Sequence, residues 1–547
     1  MKPVTPFDNN VNVNPEAKNF AASQLDYASF LPSISSIYTK IVSMPEYSLR
    51  LNSMPAGLTN GLKDLDFLNP HSHLFYYPVA LYSAGHAVLD PKESWTQESM
   101  VQQRDRKNTI IVGDSGGYQV TTGVLKWPWL KKENQSDSDW YDSKDKVRMK
   151  LLRWLESVSD YAMVLDFPTS SLFKFGNDPV TGENLHPGLK TFRDCLNGSL
   201  ENHEFFIKNR VEGATKFLNV LQGRNIEEGD IWYNEVKDLP FEAWAFADVN
   251  ASNMFLNLRR LIIMRDENKL VGKEWLHYLG NGKIKASCVY TTIQRALRKY
   301  VDEGLTVSYD ASSPFVMTAM GQCNFGYELS HDNVCLKAGP FVDDKSLKNS
   351  KQFFNDWIAA NVTKGVTPYR SKIGDRITVG DICVKGYEDL EFKRLQFSKK
   401  ELESDVYKNS MEAAYNDTFK WTNAYKAWMI HSKENGGLFD MGDTFRDDEK
   451  YQGKWPSSLD GFSYLLAMNH NVELHLNAIQ AANYWQDQPL HIANQYVTPD
   501  ILEFAELCPE VFRSEKPMEL LAKHEKMLQN VTGMNAINLI HMDIEDI

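Results

Sequence analysis

The sequence predicts an α/β protein, a (β/α)8 TIM barrel with an inserted or appended subdomain after its last strand. Three observations carry this expectation. Between about residues 70 and 310 one phrase recurs, a short apolar, β-branched or aromatic run that ends in Gly or a polar residue and is followed by a helical pattern. The last repeats, from 222 to 248, 248 to 280 and 280 to 310, are 26, 32 and 30 residues long, the length of one strand, turn and helix. No G-x-G-x-x-G follows any of the runs, which weakens an open dinucleotide-binding sheet.

Seven strands are expected, in order. They are Tyr77 to Leu81 before Ser83, Thr109 to Val112 before Asp114, Ala162 to Leu165 before Asp166 and Phe217 to Leu221 before Gln222. Ala243 to Ala247 before Asp248, Leu276 to Leu279 before Gly280 and Thr306 to Tyr309 before Asp310 complete the set. An eighth, the first in the chain, is expected near Tyr38 to Val42. The helical period shows between them: Val147, Leu151, Leu155 and Val158 share one face of a Lys144 to Ser159 helix that can lie on a sheet. From Gly321 to Pro456 the punctuation becomes irregular and rich in Gly, Asn, Asp and Lys, whereas Leu465 to Trp485 returns to a strong helical pattern. The expected division is an N-terminal extension over 1–60 that includes the first strand, and a TIM-barrel core over 61–320. An inserted subdomain over 321–456, a closing barrel helix within 457–490 and a helical tail over 491–547 follow.

Composition narrows the function classes. A chain of 547 residues, 42% hydrophobic, can bury a large core. Its longest apolar runs, such as Leu261 to Met264, fall far short of the ~20 residues that a membrane span needs. The first 20 residues lack an apolar segment after a basic start, so no secretory leader is expected and the cytoplasm (a host's, if the protein is viral) is the expected location. Six cysteines without a C-x-x-C pair read as reduced thiols. A net charge of −13 disfavours a protein that coats nucleic acid over its whole surface, but leaves room for a local basic face. The main candidate is Lys126 to Arg153, with Lys131, Lys132, Lys144 and Lys146; Arg259/Arg260/Arg265 and Arg295/Arg298/Lys299 are others, and solvated helix faces are the plainer reading of each.

In a barrel of this kind chemistry sits at the C-terminal ends of the strands, where Asp114, Asp166, Gln222, Asp248 and Asp310 all fall. One such carboxylate is more often a helix cap than a catalyst, but several converging on one rim are harder to explain that way. The most specific string is Gly113-Asp114-Ser115-Gly116-Gly117. A serine-protease reading requires an all-β double barrel and an upstream His and Asp, and the βα pattern and the surroundings of His71, His73 and His86 do not supply them.

Asp114-Ser115-Gly116-Gly117-Tyr118-Gln119 after a buried strand resembles the base-pocket loop of the queuine and archaeosine tRNA-guanine transglycosylases. Glycines let backbone approach a flat base, Tyr118 offers a stacking face and a carboxylate accepts from guanine-type N–H donors. The resemblance continues in order with Ser159 to Asp166, Phe217 to Gly223, His277 to Gly282, Val307 to Pro314, and Asn469-His470-Asn471 on the closing helix. It covers about residues 70 to 320 and 460 to 490.

The resemblance implies Asp310 as covalent nucleophile and Asp114 as general acid and base. It also implies a base pocket of Ser115, Gly117, Tyr118, Asp166, Gln222, Gly223, Leu279 and Gly280, in which Asp166 and Gln222 read the base edge while Tyr118 and Leu279 sandwich the ring. Two departures stand out. Phe246-Ala247-Asp248 replaces the family's glycine pair after the sixth strand, and the tRNA enzymes' C-x-C-x-x-C zinc site is missing. Cys323, Cys335 and Cys383 with His331 are the candidate zinc set, but gaps of 12 and 48 residues do not match compact zinc signatures, and buried thiols are the plainer reading. No cofactor is otherwise expected.

With these departures the chain resembles the DNA 7-deazaguanine transglycosylases of phages and bacteria, the viral branch especially, more than the tRNA enzymes. The expected partners are double-stranded DNA and a free 7-deazaguanine base, and the modification would shield phage DNA from restriction. A homodimer is among the assemblies that the sequence allows. A tRNA-guanine transglycosylase, a nucleosidase and a non-catalytic nucleic-acid-binding barrel are the alternatives.

Overall fold

A computed structural model describes residues 26–43, 54–174, 186–340, 342, 345–364, 366–383 and 461–534. Eight parallel strands form one sheet: β1 (Ser29–Pro32), β2 (Val79–Ser83), β3 (Ile110–Asp114), β4 (Tyr161–Met163), β5 (Lys216–Leu221), β6 (Ala243–Phe246), β7 (Trp275–Tyr278) and β8 (Thr306–Ala311). Their order, β1-β8-β7-β6-β5-β4-β3-β2, runs once round a ring. A parallel bridge between Ser33 and Leu81 joins its two ends, so the chain is a (β/α)8 barrel. The strands are short and almost wholly buried because the ring's interior is packed with side chains and helices cover its outside.

The seven expected strands are all present within a residue or two. The eighth is not where the apolar run suggested. Tyr38 to Val42 belongs to α1 (Ser36–Ser43), and the strand is the shorter Ser29–Pro32 before it. Pro32 ends the strand, and Ser35 Oγ then accepts the Tyr38 N–H at 3.3 Å, a helix-opening bond that turns the run into a helix with Tyr38 and Ile41 buried.

The outer layer relevant to the site comprises α2 (Gly117–Thr121), α3 (Asp137–Val158), α4 (Phe192–Asn209), α5 (Ile226–Val236), α6 (Met254–Asp266), α7 (Ile284–Tyr300) and α8 (Ser313–Ala319). Helix α3 begins seven residues before the expected Lys144, because Ser136 caps it by accepting the Asp139 N–H.

After α8 the chain forms a three-stranded antiparallel sheet of β9 (Gln322–Leu329), β10 (Val334–Pro340) and β11 (Thr367–Pro368), with β9 in the middle. The rest of the expected subdomain from residue 384 to 456 lies outside the described residues. The closing helix is α9 (Gly461–Gln486), packed on α7, α8 and β9, and the helical tail continues with α10 (Pro499–Arg513) against α7. Among the described residues no helix is long and apolar enough to cross a membrane.

Helix α9 buries many polar side chains, and near β9 those of His470 and Asn471 are fully paired, whereas Asn469 Oδ1 has no partner among the described residues. The Asn324 carbonyl accepts from His470 Nε2 at 2.8 Å, which leaves His470 Nδ1 to accept from Ser371 Oγ at 2.7 Å. Asn471 accepts the Asn324 N–H at 2.9 Å and donates to the Pro314 carbonyl at 3.1 Å. Asn469 donates to Tyr38 Oη at 3.0 Å. The Asn-His-Asn segment therefore clamps the small sheet and α1 to the barrel.

Candidate active site

Most strands deliver a polar residue to the C-terminal mouth of the barrel. Asp114 is the last residue of β3, Asp166 follows β4, Gln222 follows β5, Asp248 follows β6, Leu279 and Gly280 follow β7, and Asp310 lies at the end of β8. Strands β3 and β7 are four places apart in a ring of eight, so Tyr118 after β3 and Leu279 after β7 rise from opposite sides of the mouth. Tyr118 is 38% exposed, and several other large side chains of the surface, such as Trp95 and Tyr141, are exposed too.

The loop after β3 is built by glycine. Gly116 takes a positive φ of 79°, and a side chain on it would run into the backbone of Gly85. A Cβ on Gly117 would lie 2.2 Å from the Asp166 carbonyl oxygen, so only glycine lets α2 rest on the end of β4. The two segments are thereby locked side by side.

Asp114 accepts from Ser83 Oγ at 2.6 Å and from the Gly116 N–H at 3.2 Å. Burial raises its pKa above the ordinary carboxylate value, and the charge of Asp310 pushes the same way against those two donors. Asp166 is pushed further, to about 7, by burial first and then by the charges of Asp114 and Asp248, although Gln222 Nε2 donates to it at 2.6 Å. Two neighbouring polar atoms are buried with no hydrogen-bond partner among the described residues, Gln222 Oε1 and Ser115 Oγ. Unpaired buried polar atoms are costly in a folded protein, and others lie away from the mouth, such as both polar atoms of Gln480 and both nitrogens of His203.

Asp310 is held asymmetrically. Its Oδ1 accepts the Gly280 N–H at 2.8 Å and is faced by His277 Nε2 at 3.3 Å, without the alignment of a regular hydrogen bond. No hydrogen bond among the described residues falls on Oδ2. Gly280 has a φ of 72°, a conformation that presents its N–H to the carboxylate and that a side chain would strain.

Sequence reasoning passed over the layer beneath. His277 lies inside β7 and pairs in register with Ser308 of β8, one pleat below Asp310. Its Nδ1 is 2.8 Å from Ser308 Oγ, which also accepts Trp275 Nε1–H at 2.6 Å. Asp310, His277 and Ser308 thus have the sequence of contacts of a hydrolase triad, but in the wrong place: Ser308 is fully buried in the barrel and Asp310 is the member at the mouth. The signal that would have found the pair is a His and a Ser at facing interior positions of two otherwise apolar strands.

The other expected site residues divide. Gly223, with a φ of 127°, has a packing reason to be glycine, since a Cβ there would meet the Gly229 nitrogen at 2.6 Å. Asp248 does not cap the helix that follows it; it accepts from Thr169 Oγ1 at 2.8 Å and takes a φ of 50°, a strained conformation for a non-glycine residue. Of the four lysines offered to phosphate, Lys131 is paired with Asp137 at 2.8 Å, and Lys144 lies 3.9 Å over the Trp140 ring and 3.9 Å from Glu201. Lys132 and Lys146 are exposed. Arg259 and Arg260 both pair with Asp230, and Arg295 pairs with Asp26 and Asp487.

Cys323 donates to Asn471 Oδ1 at 3.3 Å, and β9–β10 register sets it opposite Gly339 rather than Cys335. Among the described residues no three His, Cys, Asp or Glu side chains gather as a metal site. No protein-family model matches the chain, and no curated protein does.

Proposed function

We propose that this chain is a pentosyltransferase that exchanges guanine in DNA for a 7-deazaguanine base through a covalent Asp310–sugar intermediate. The observation that carries the reading is the state of Asp310: one carboxylate oxygen anchored by Gly280, the other without a hydrogen bond, in a mouth shared with two carboxylates of raised pKa and two orphaned polar atoms.

Two displacements at one carbon make base exchange feasible, because each passes through a stabilised oxocarbenium-like state. Asp310 Oδ2 attacks C1′ as the bond from C1′ to N9 of guanine breaks. Asp114, its pKa raised by burial, supplies the proton that the departing base takes up, and the sugar remains esterified to Asp310. The incoming 7-deazaguanine returns its N9 proton to Asp114 and attacks C1′, which frees the Asp310 carboxylate. Asp166 and Gln222 would pair with the edge of either base, with Gln222 Oε1 and Ser115 Oγ gaining the partners they lack. Tyr118 and Leu279 would cover its two faces. A guanine within a duplex must be flipped out to reach such a pocket.

The choice of DNA rests on the chain's departures from the tRNA enzymes. Incubation with labelled 7-cyano-7-deazaguanine and either duplex DNA or tRNA tests it, with label expected in DNA. Label in tRNA alone would replace DNA by tRNA as the polymer. Free base released to water without uptake of label would make the chain a nucleosidase.

A further inference from the structure

Resting on the reading of Asp310 as nucleophile, we infer that His277 is its positioning residue, fixed by Trp275 and Ser308 in the neutral form with the ring proton on Nε2, facing Asp310 Oδ1.

The direction of each bond follows from what the groups can do. The indole N–H only donates, so Ser308 Oγ accepts from Trp275 Nε1 at 2.6 Å. The serine's own hydrogen then has one acceptor within reach among the described residues, His277 Nδ1 at 2.8 Å. An imidazole whose Nδ1 accepts carries its proton on Nε2, and that atom lies 3.3 Å from Asp310 Oδ1. A doubly protonated ring would point a second donor at Ser308 and leave the hydroxyl hydrogen stranded in a fully buried site. The donor to Asp310 is thus set from below by two side chains that never meet the substrate.

The consequence is orientational. Gly280 N–H and His277 Nε2–H both address Oδ1, so the carboxylate is turned to leave Oδ2 toward the mouth. The present Nε2 contact lacks good alignment, as catalytic hydrogen bonds often do before substrate is bound. When Oδ2 becomes the ester oxygen, Oδ1 becomes a carbonyl oxygen that retains both donors. His277 touches no substrate atom in this scheme; it acts through Asp310.

Two measurements on the full chain test this. In protein labelled with 15N-histidine, the His277 resonances, identified by their disappearance in His277→Gln, should show the proton on Nε2. Ser308→Ala should redistribute it between the two nitrogens. A wild-type ring protonated on Nδ1 overturns the assignment.

In exchange assays His277→Phe should lower kcat about 100-fold while KM for the free base stays within about threefold, because only the attacking carboxylate is misplaced. His277→Gln, whose amide nitrogen can occupy the Nε2 position, should recover kcat to within about tenfold of wild type. Equal loss in the two variants, or a loss confined to KM, overturns the positioning role. Should wild-type protein label neither DNA nor tRNA, the exchange reading fails, and the nitrogen measurement still decides whether Trp275 and Ser308 set His277 against Asp310.

Discussion

The junction around His470 and the barrel mouth bury side chains of the same kinds, yet they pair them differently. At the junction both nitrogens of His470 and both polar atoms of the Asn471 side chain find partners, and the result is a clamp between α9, β9 and α8. At the mouth Gln222 Oε1 and Ser115 Oγ have none, Asp310 uses one oxygen, and burial holds the carboxyls of Asp114 and Asp166 above their ordinary pKa. The junction is not free of unpaired atoms, since Asn469 Oδ1 and Asn324 Nδ2 are also buried without a partner among the described residues. The difference is that its central His470 and Asn471 are fully bonded into packing contacts, whereas the unpaired atoms of the mouth sit beside carboxylates of raised pKa.

Substitutions should therefore split into those that remove turnover and those that remove stability. The largest effect is expected from Asp310→Asn, which should lower base exchange by ~1,000-fold or more while the circular dichroism spectrum is unchanged, since a covalent nucleophile is lost while an amide of the same shape can still accept the Gly280 N–H. Exchange within about tenfold of wild type would remove Asp310 from that role. Next, Asp114→Ala should reduce kcat by ~100-fold or more with free-base binding retained, as for a general acid and base, and Asp166→Ala should instead weaken base binding. Calorimetric titration alongside single-turnover kinetics reads the two apart.

A subtler effect comes from titration. The Asp166 pKa is raised to about 7 in the folded protein, so the protonated form dominates below that pH. A base that offers two N–H donors needs the ionised form; its affinity should be level above pH 7 and fall by up to about tenfold per unit below it. The same shift costs the empty protein stability as pH rises from the ordinary carboxylate range toward 7. Asp166→Asn should flatten that part of the stability profile, by at most a few kcal/mol (about 1.4 per unit of pKa). A melting profile with the same slope in variant and wild type would show that Asp166 ionises without hindrance.

The smallest kinetic effect should come from the junction. His470→Ala should lower stability by about 1–3 kcal/mol, through loss of its bonds to Ser371 and Asn324, and leave the exchange rate per folded molecule as it was. A kcat loss in that variant with an unchanged melting temperature would place the junction within the catalytic apparatus and break the comparison.

Much of this was legible in the sequence because the strands advertise themselves. Seven apolar runs end at the mouth, six in a polar residue and one in Gly280, so Asp114, Asp166, Gln222 and Asp310 are legible as one rim from the sequence. The first strand escaped because Ser29–Pro32 offers only two apolar side chains between Ser and Pro, while the more β-like run after it is turned into a helix by Ser35. His277 escaped for a different reason. It sits inside an apolar run, and its meaning arises from register across two strands 31 residues apart. Among the lysines of 126 to 153 the sequence does not show that Asp137 and Glu201 stand against Lys131 and Lys144, while Lys132 and Lys146 remain exposed.

The seam of the barrel gives its strand β8 a particular vulnerability. Strands β2 and β3 share a register running from Val79–Ile110 to Ser83–Asp114, whereas β1 meets β2 through the Ser33–Leu81 bridge and the 2.9 Å bond from Ile34 N–H to the Leu81 carbonyl. On its other side β1 covers β8, with Leu31 beside Asp310. Peeling β1 away would convert a closed ring into an open sheet and turn β8, with its backbone amides and carbonyls, into an edge able to recruit another strand. A chain shortened past Pro32 is thus expected to self-associate through the very strand that carries Asp310, and amides along this seam should exchange with deuterium ahead of those in β5 and β6.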